Sequence, residues 1–320
     1  MVSNSEDFGK TIRFPDPLKP GDKIALISPA SAVKEEYVFG AIDHLFERGF
    51  TPVLMPYAIG HEYGSFSASQ SNRQLDFLDA LEDPEIKAIF CTRGGYGCSQ
   101  LIGNISRELV ANNPKWIIGF SDISALLALW FRSGIASIHG PMAKHLATMP
   151  SNDISTENLF SILENGGVFD YKIPSHSYNR TGESTGVLRG GNLAVLNDMG
   201  GTHCDILNNL NGKEEIILFL EDISEPIYKV NRMLYRLLNS GFLPSLKGLI
   251  IGQFTEYNAD RNYAKMEDMI HEFLQKNMLS AEIPVVFDFP VGHTDNNLPL
   301  VEGARVSLKV EPDSVTLKSI

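Results

Sequence analysis

The sequence predicts an α/β fold, a parallel sheet covered by helices. The main observation is alternation: apolar runs of strand length are followed by segments whose apolar residues recur at helical spacing. Composition agrees, since 43% of residues are hydrophobic and 21% charged, enough apolar matter for a substantial core without the signature of a disordered chain. At 320 residues, two domains are preferred over one large one.

The elements follow in chain order. Residues 23–27 read as a buried strand, and Val38, Ile42, Leu45 and Phe46 then recur at helical spacing before Gly49. Strands at 52–55, 86–91, 116–120 and 136–139 alternate with helices around 75–81, 99–109 and 122–131. Periodicity fails between Gly166 and Gly186, where Pro174, Ser175, His176, Ser177, Asn179, Arg180 and Gly182 make a polar connection. The expected division is therefore a first domain at 1–165, a linker at 166–185 and a second domain at 186–320. The second half opens on Gly186-Val187-Leu188-Arg189-Gly190-Gly191-Asn192 and continues with a strand at 216–220. A helix carrying Val230, Met233, Leu234, Leu237 and Leu238 follows, closed by Gly241. A strand at 248–252, a helix with Met266, Met269, Ile270, Phe273 and Leu274, and short β structure at 285–287 and 306–310 complete the chain.

Several function classes are disfavoured at once. A formal charge of -12 argues against nucleic acid as a partner, because that affinity rests on Lys and Arg neutralising phosphates. Three cysteines, Cys91, Cys98 and Cys204, form no C-x-x-C pair, so neither a disulfide framework nor a zinc knuckle is expected. Residues 1–7 carry neither a basic region nor an apolar segment, and no run approaches membrane-spanning length. The expectation is a cytoplasmic protein with no membrane partner, no metal and no cofactor.

Chemistry concentrates in a few places. In Gly119-Phe120-Ser121-Asp122 an apolar strand stops at a serine and a helix begins, which places a hydroxyl beside unpaired N–H groups and a positive dipole end. This resembles a nucleophile elbow, although G-x-S-x-G would need glycine where Ile123 stands, and taken alone such a serine is more often an ordinary helix cap. A hydroxyl needs a base, and among eight histidines His293 stands out in a polar loop directly after an apolar strand. His139, ending a strand in the same half as Ser121, is the rival base; His44 and His271 read as helix-surface residues, and His145 has no evident partner. For an orienting acid, Glu221 and Asp222 follow a buried strand. Capping of the helix near Pro226 is an alternative role for either, and the preferred one for Asp222. The glycines of Arg93-Gly94-Gly95-Tyr96-Gly97 allow a tight backbone path, from which Gly95 could supply an oxyanion donor alongside the N–H of Asp122.

From about Leu18 to about Lys309 the chain resembles the muramoyl-tetrapeptide LD-carboxypeptidases and the related microcin-immunity peptidases. The resemblance is carried by Arg93-Gly94-Gly95-Tyr96-Gly97, Gly119-Phe120-Ser121-Asp122, Gly190-Gly191-Asn192-Leu193, Leu220-Glu221-Asp222, Asn231-Arg232-Met233-Leu234 and Gly292-His293. It implies a triad of Ser121, Glu221 and His293, with oxyanion donors at Gly95 and Asp122. It also implies a flavodoxin-like parallel-sheet N-terminal domain, a smaller swivelling β/α C-terminal domain, an active site between them and a homodimer. The implied substrate is a murein-derived tetrapeptide that loses its C-terminal D-alanine. Arg93, Arg189 and Arg232 are candidates for meeting its carboxylates. Family members often carry an Asp-Arg pair where this chain has Asn231-Arg232. The interdomain region lacks an aromatic loop of the kind that would cradle a nucleotide, which favours the cell-wall branch. The alternatives are a peptidyl-nucleotide immunity peptidase and a non-catalytic flavodoxin-like ligand-binding protein.

Overall fold

A computed structural model describes residues 12–209, 212, 214–278 and 282–320. Residues 1–7, read above as lacking a leader, lie outside them. The N-terminal half alternates β1 (Lys23–Ile27), α1 (Glu35–Glu47), β2 (Thr51–Leu54), α2 (Gln70–Glu82), β3 (Ile86–Cys91), α3 (Ser99–Ile102), α4 (Arg107–Asn112), β4 (Trp116–Gly119), α5 (Ser124–Arg132) and β5 (Ser137–His139). Two further helices, α6 (Ala143–Thr148) and α7 (Ile154–Glu164), lead into β6 (Asp170–Pro174) and β7 (Gly182–Asn192). Then come α8 (Leu193–Asp198), β8 (Ile216–Ile223), α9 (Ile227–Asn239), β9 (Gly248–Thr255), α10 (Met266–Asn277), β10 (Val285–Val286), β11 (Leu300–Glu302), β12 (Arg305–Val310) and β13 (Ser314–Ser319).

The strands form two sheets. The first is six-stranded in the order β11-β5-β4-β3-β1-β2 and is parallel except for β11, which runs antiparallel to β5. Parallel strands covered on both faces read as continuous apolar runs, as β4 does with Trp116, Ile117 and Ile118 all buried. The second sheet is seven-stranded, β10-β9-β8-β7-β12-β13-β6, with β7 to β10 parallel and the remainder antiparallel. The molecule is thus a two-part α/β fold with a flavodoxin-like first sheet.

Three departures from the sequence reading have physical causes. The stretch 166–185 is not a plain connection: β6 and the start of β7 lie within it and pair with β13 and β12. Pro174 is tolerated there because β6 is the sheet's edge. The helix expected over 99–109 is two short helices, since Gly103 interrupts the first and the Ser106 hydroxyl caps the second by accepting from the Leu109 N–H at 3.1 Å. Finally β11, from the C-terminal part of the sequence, completes the first sheet, with Leu300 paired to His139 and Glu302 to Ser137.

The carboxyl ends of the parallel strands in both sheets converge. His139 at the end of β5 lies against Glu221 near the end of β8, and Ser124 at the start of α5 accepts a hydrogen bond from the Asn192 N–H at the end of β7 (3.0 Å). A cleft between two such edges is where open α/β sheets bind ligands.

Candidate active site

The serine turn is built by a strand that ends abruptly. After Gly119 the chain is extended at Phe120 and then left-handed at Ser121, with φ of 64°. A left-handed serine costs on the order of 1–3 kcal/mol, and such residues gather at functional sites. A single 3-10 turn (Ser121–Ile123) carries the chain into α5, which is buried from Ser124 to Trp130. Ser121 itself is half-buried at the edge of this packed helix.

The glycine loop after β3 lies directly against that turn. A Cβ on Gly94 would come within 2.9 Å of Ser121 Cβ and 3.1 Å of its Oγ, so only glycine permits the approach. The same point is 3.2 Å from the Asp122 nitrogen. Gly95, at φ of 100°, follows immediately, and neither its N–H nor that of Asp122 is spent on a hydrogen bond to the protein among the described residues. The Asp122 side chain, buried and pushed upward in pKa by that burial, turns back to accept the Cys98 N–H at 2.8 Å and ties loop to turn.

Two residues that the sequence reading passed over shape this loop. Ser31 donates its N–H to the Gly94 carbonyl (3.2 Å) and accepts the Tyr96 N–H on its hydroxyl (3.1 Å). The buried Arg73 guanidinium donates to the carbonyls of Pro29 (2.6 Å) and Gly97 (3.2 Å). An arginine inside a helix gives no local sign of such a role, because its partners are long-range.

Glu221 and His293 form a hydrogen-bonded carboxylate–imidazole pair. Glu221 is fully buried near the carboxyl end of β8, where the register with β9 shifts between Leu220 and Asp222. Such bulges re-aim side chains beside active sites. Burial alone would raise the Glu221 carboxyl, but contacts with His139 and His293 outweigh it and hold the group at about 2. An ionised carboxylate can only accept, so His293 Nδ1–H donates to Glu221 Oε2, at 2.7 Å. That leaves Nε2 of the neutral imidazole as the basic nitrogen. The loop fits the pair closely: Gly292 has φ of 115°, and a Cβ there would sit 2.7 Å from Glu221 Oε2. Buried Asn297 accepts the Gly292 N–H at 2.9 Å and pins the loop. The His293 ring stands edge-on to Phe120, centroids 4.9 Å apart, which brings it beside the residue preceding Ser121. No hydrogen bond joins Ser121 Oγ to His293 among the described residues.

Asp222 faces elsewhere and does not cap the helix near Pro226, contrary to the expectation; α9 has no side-chain cap. Its carboxyl accepts Asn192 Nδ2 at 2.9 Å and the Ala194 N–H at 3.0 Å, while Asn192 Oδ1 caps α8 by accepting the Val195 N–H at 3.1 Å. Burial first, and then the Glu221 charge, push Asp222 up to about 7. Gly190-Gly191-Asn192 is therefore a joint, linking the end of β7 to α8, to β8 and, through Ser124, to the serine turn.

Other candidates fall out differently. Arg189 is buried and held by Glu214 (3.0 Å) and the Asn208 carbonyl (2.7 Å), so it cannot meet a substrate. Arg93 is exposed with one guanidinium nitrogen on the Ala32 carbonyl, and Arg232 is exposed over the Tyr228 ring at 5.6 Å. His44 is buried and stacked on Phe160, not on a helix surface, because α6 and α7 cover that face. His145 does have a partner, Asp153 at 2.7 Å. His139 is fully buried, with Nε2 3.7 Å from Glu221 Oε1.

Known proteins are similar to this chain in sequence and fold. The chain is 32% identical over 286 residues to the murein tetrapeptide carboxypeptidase of Pseudomonas aeruginosa, covering 86% of this chain and 89% of that one. It is 24% identical over 336 residues to the microcin C7 self-immunity protein MccF of Escherichia coli, covering 94% of each chain. The crystal structure of muramoyltetrapeptide carboxypeptidase from Oxalobacter formigenes superposes with a TM-score of 0.80 at 28% identity, covering 93% of this chain and 98% of that one. Residues 24–140 match the LD-carboxypeptidase N-terminal domain and residues 185–308 the LD-carboxypeptidase C-terminal domain. The chain belongs to the LD-carboxypeptidase family and is a serine-type carboxypeptidase.

Proposed function

We propose that this enzyme is a metal-independent LD-carboxypeptidase that releases C-terminal D-alanine from murein tetrapeptides in cell-wall recycling. The observation that carries the proposal is the fully buried Glu221 carboxylate fixing the His293 tautomer at 2.7 Å, beside a left-handed serine at a strand end. In this reading His293 Nε2 takes the proton of Ser121 Oγ as the hydroxyl attacks the carbonyl before D-alanine. The oxyanion is met by the N–H groups of Gly95 and Asp122, and His293 then protonates the departing amine. Water repeats the sequence on the acyl-enzyme. Glu221 stays ionised throughout and stabilises the imidazolium. Arg93 and Arg232, both exposed, are suited to the carboxylates of an acidic peptide. The same reading carries a homodimer and a cytoplasmic site of action; among the described residues no helix is long and apolar enough to cross a membrane.

The likeness to the self-immunity protein supports a second reading, cleavage of a peptidyl nucleotide. Mass spectrometry of a defined muropeptide panel, run beside a peptidyl-sulfamoyl nucleotide, separates the two. Loss of one alanine from the tetrapeptide is the expected result. Cleavage of the nucleotide with the tetrapeptide untouched would assign the chain to the immunity branch.

A further inference from the structure

We propose that His139 is a positioning residue for Glu221: an imidazole from the first sheet that steadies the carboxylate oxygen which His293 leaves free. The inference rests on the Ser121–Glu221–His293 reading and concerns the group behind it. Glu221 Oε2 is engaged by His293, whereas Oε1 is buried and has no hydrogen-bond partner among the described residues. The group that faces Oε1 is His139 Nε2, at 3.7 Å, and both side chains are fully inaccessible to solvent. Neither ring nitrogen of His139 has another hydrogen-bond partner among the described residues. A buried polar group left without a hydrogen bond is costly, so two such groups facing each other gain by closing the remaining gap.

The surroundings give His139 no other task. Its ring lies between Phe120 (centroids 5.8 Å apart) and Phe219 (5.1 Å), and a Cβ on Gly191 would come within 3.7 Å of its Cδ2. It is ill placed to act as the base, because its ring is wholly enclosed whereas that of His293 reaches solvent. What the ring can do is present Nε2–H to a carboxylate that accepts only. A second donor keeps the carboxylate plane fixed while His293 gains and loses charge, and lowers the tendency of Glu221 to take the proton itself. The other charged neighbour, Asp222, points to the Asn192 side and does not compete for Oε1. Because β5 and β8 belong to different sheets, the contact also makes the triad acid depend on how the two sheets meet.

Two variants of similar bulk isolate the N–H. His139→Gln keeps an N–H donor within reach of Oε1, and His139→Leu removes it. Partners that orient a functional group from behind typically affect activity 10- to 100-fold, so His139→Leu should lose about that much kcat with KM little changed. The acidic limb of its kcat/KM profile should move to higher pH, since a carboxylate with one donor fewer holds the His293 proton more tightly. His139→Gln should restore both. Equal kcat and an unmoved pH limb in a folded His139→Leu, with stability alone reduced, would make His139 an ordinary core histidine and leave the triad standing. Should His139→Leu not fold, the wild-type enzyme decides: nitrogen-15 histidine spectra should show His139 protonated at Nε2, and a bare Nε2 would overturn the contact. Glu221→Gln assayed in parallel separates the two claims, because an active Glu221→Gln sinks the triad itself whatever the spectra say of His139.

Discussion

Glu221 and Asp222 are consecutive carboxylates on one buried strand, and their surroundings drive them in opposite directions. Glu221 faces the imidazoles of His139 and His293 and is held at about 2, below its ordinary 4.5. Asp222 faces a side-chain amide and backbone N–H groups, which carry no full charge, and it also feels the Glu221 anion; it is pushed to about 7 from 3.8. Burial is common to both, so the charge of the partner decides. One side of the strand end holds an anion against the His293 imidazole, the pair proposed above as acid and base. The other side holds a joint between elements.

The sharpest way to break this comparison is to disable the chemistry it serves. Ser121→Ala should keep the fold and lose turnover on the order of a million-fold, measured as D-alanine release by a protein purified free of contaminating peptidases. Next, Glu221→Gln preserves shape but removes the anion, and should cost roughly four decades in turnover with substrate affinity far less affected. Asp222→Asn should stay within about ten-fold of wild type and, below about pH 4 where Asp222 is protonated, lose about 1 kcal/mol of stability through one weakened hydrogen bond. A dead Asp222→Asn beside an active Glu221→Gln would exchange the two roles.

Gly292→Ala tests the geometry instead of the charge. The added methyl falls 2.7 Å from Glu221 Oε2 at a φ of 115°, so the His293 loop must retreat. A displacement of about 1 Å at a reacting group costs on the order of a hundred-fold, and kcat should fall accordingly with Glu221 and His293 both intact.

The smallest effects are on stability against pH, and they carry opposite signs. Glu221, with its folded pKa lowered, contributes stability that is present above its ordinary 4.5 and lost as pH falls through about 2. Asp222, with its folded pKa raised, contributes stability that is present below 3.8 and lost as pH rises through about 7. Urea unfolding at a series of pH values should therefore show Asp222→Asn gaining on wild type between about pH 4 and pH 7. No relative gain across that window would mean that the Asp222 side is not as described.

The legible parts of this molecule were those with local signatures. Apolar strands such as β3 and β4 declared themselves because both faces are buried, and the serine turn because a strand stops where a helix starts. Between Glu221 and Asp222 the residues alone offer only a preference for Asp222 as a cap, and the resemblance alone singles out Glu221, because their difference lies in partners from β5, β7 and the His293 loop. Edge strand β6 was hidden for a related reason: at a sheet edge only Tyr171 is buried, and Pro174 reads as a turn. Arg73 and Ser31 act across long stretches of chain and leave no pattern in their own neighbourhoods.

The central claim is that the Glu221 side, and not the Asp222 side, activates Ser121. A fluorophosphonate that reacts only with an activated serine measures this without reference to any natural substrate. Time-resolved intact mass and peptide mapping should place a single adduct on Ser121, formed at similar rates in wild type and Asp222→Asn and far more slowly in Glu221→Gln and His293→Ala. An adduct on another residue, or labelling of Glu221→Gln as fast as wild type, would contradict the account.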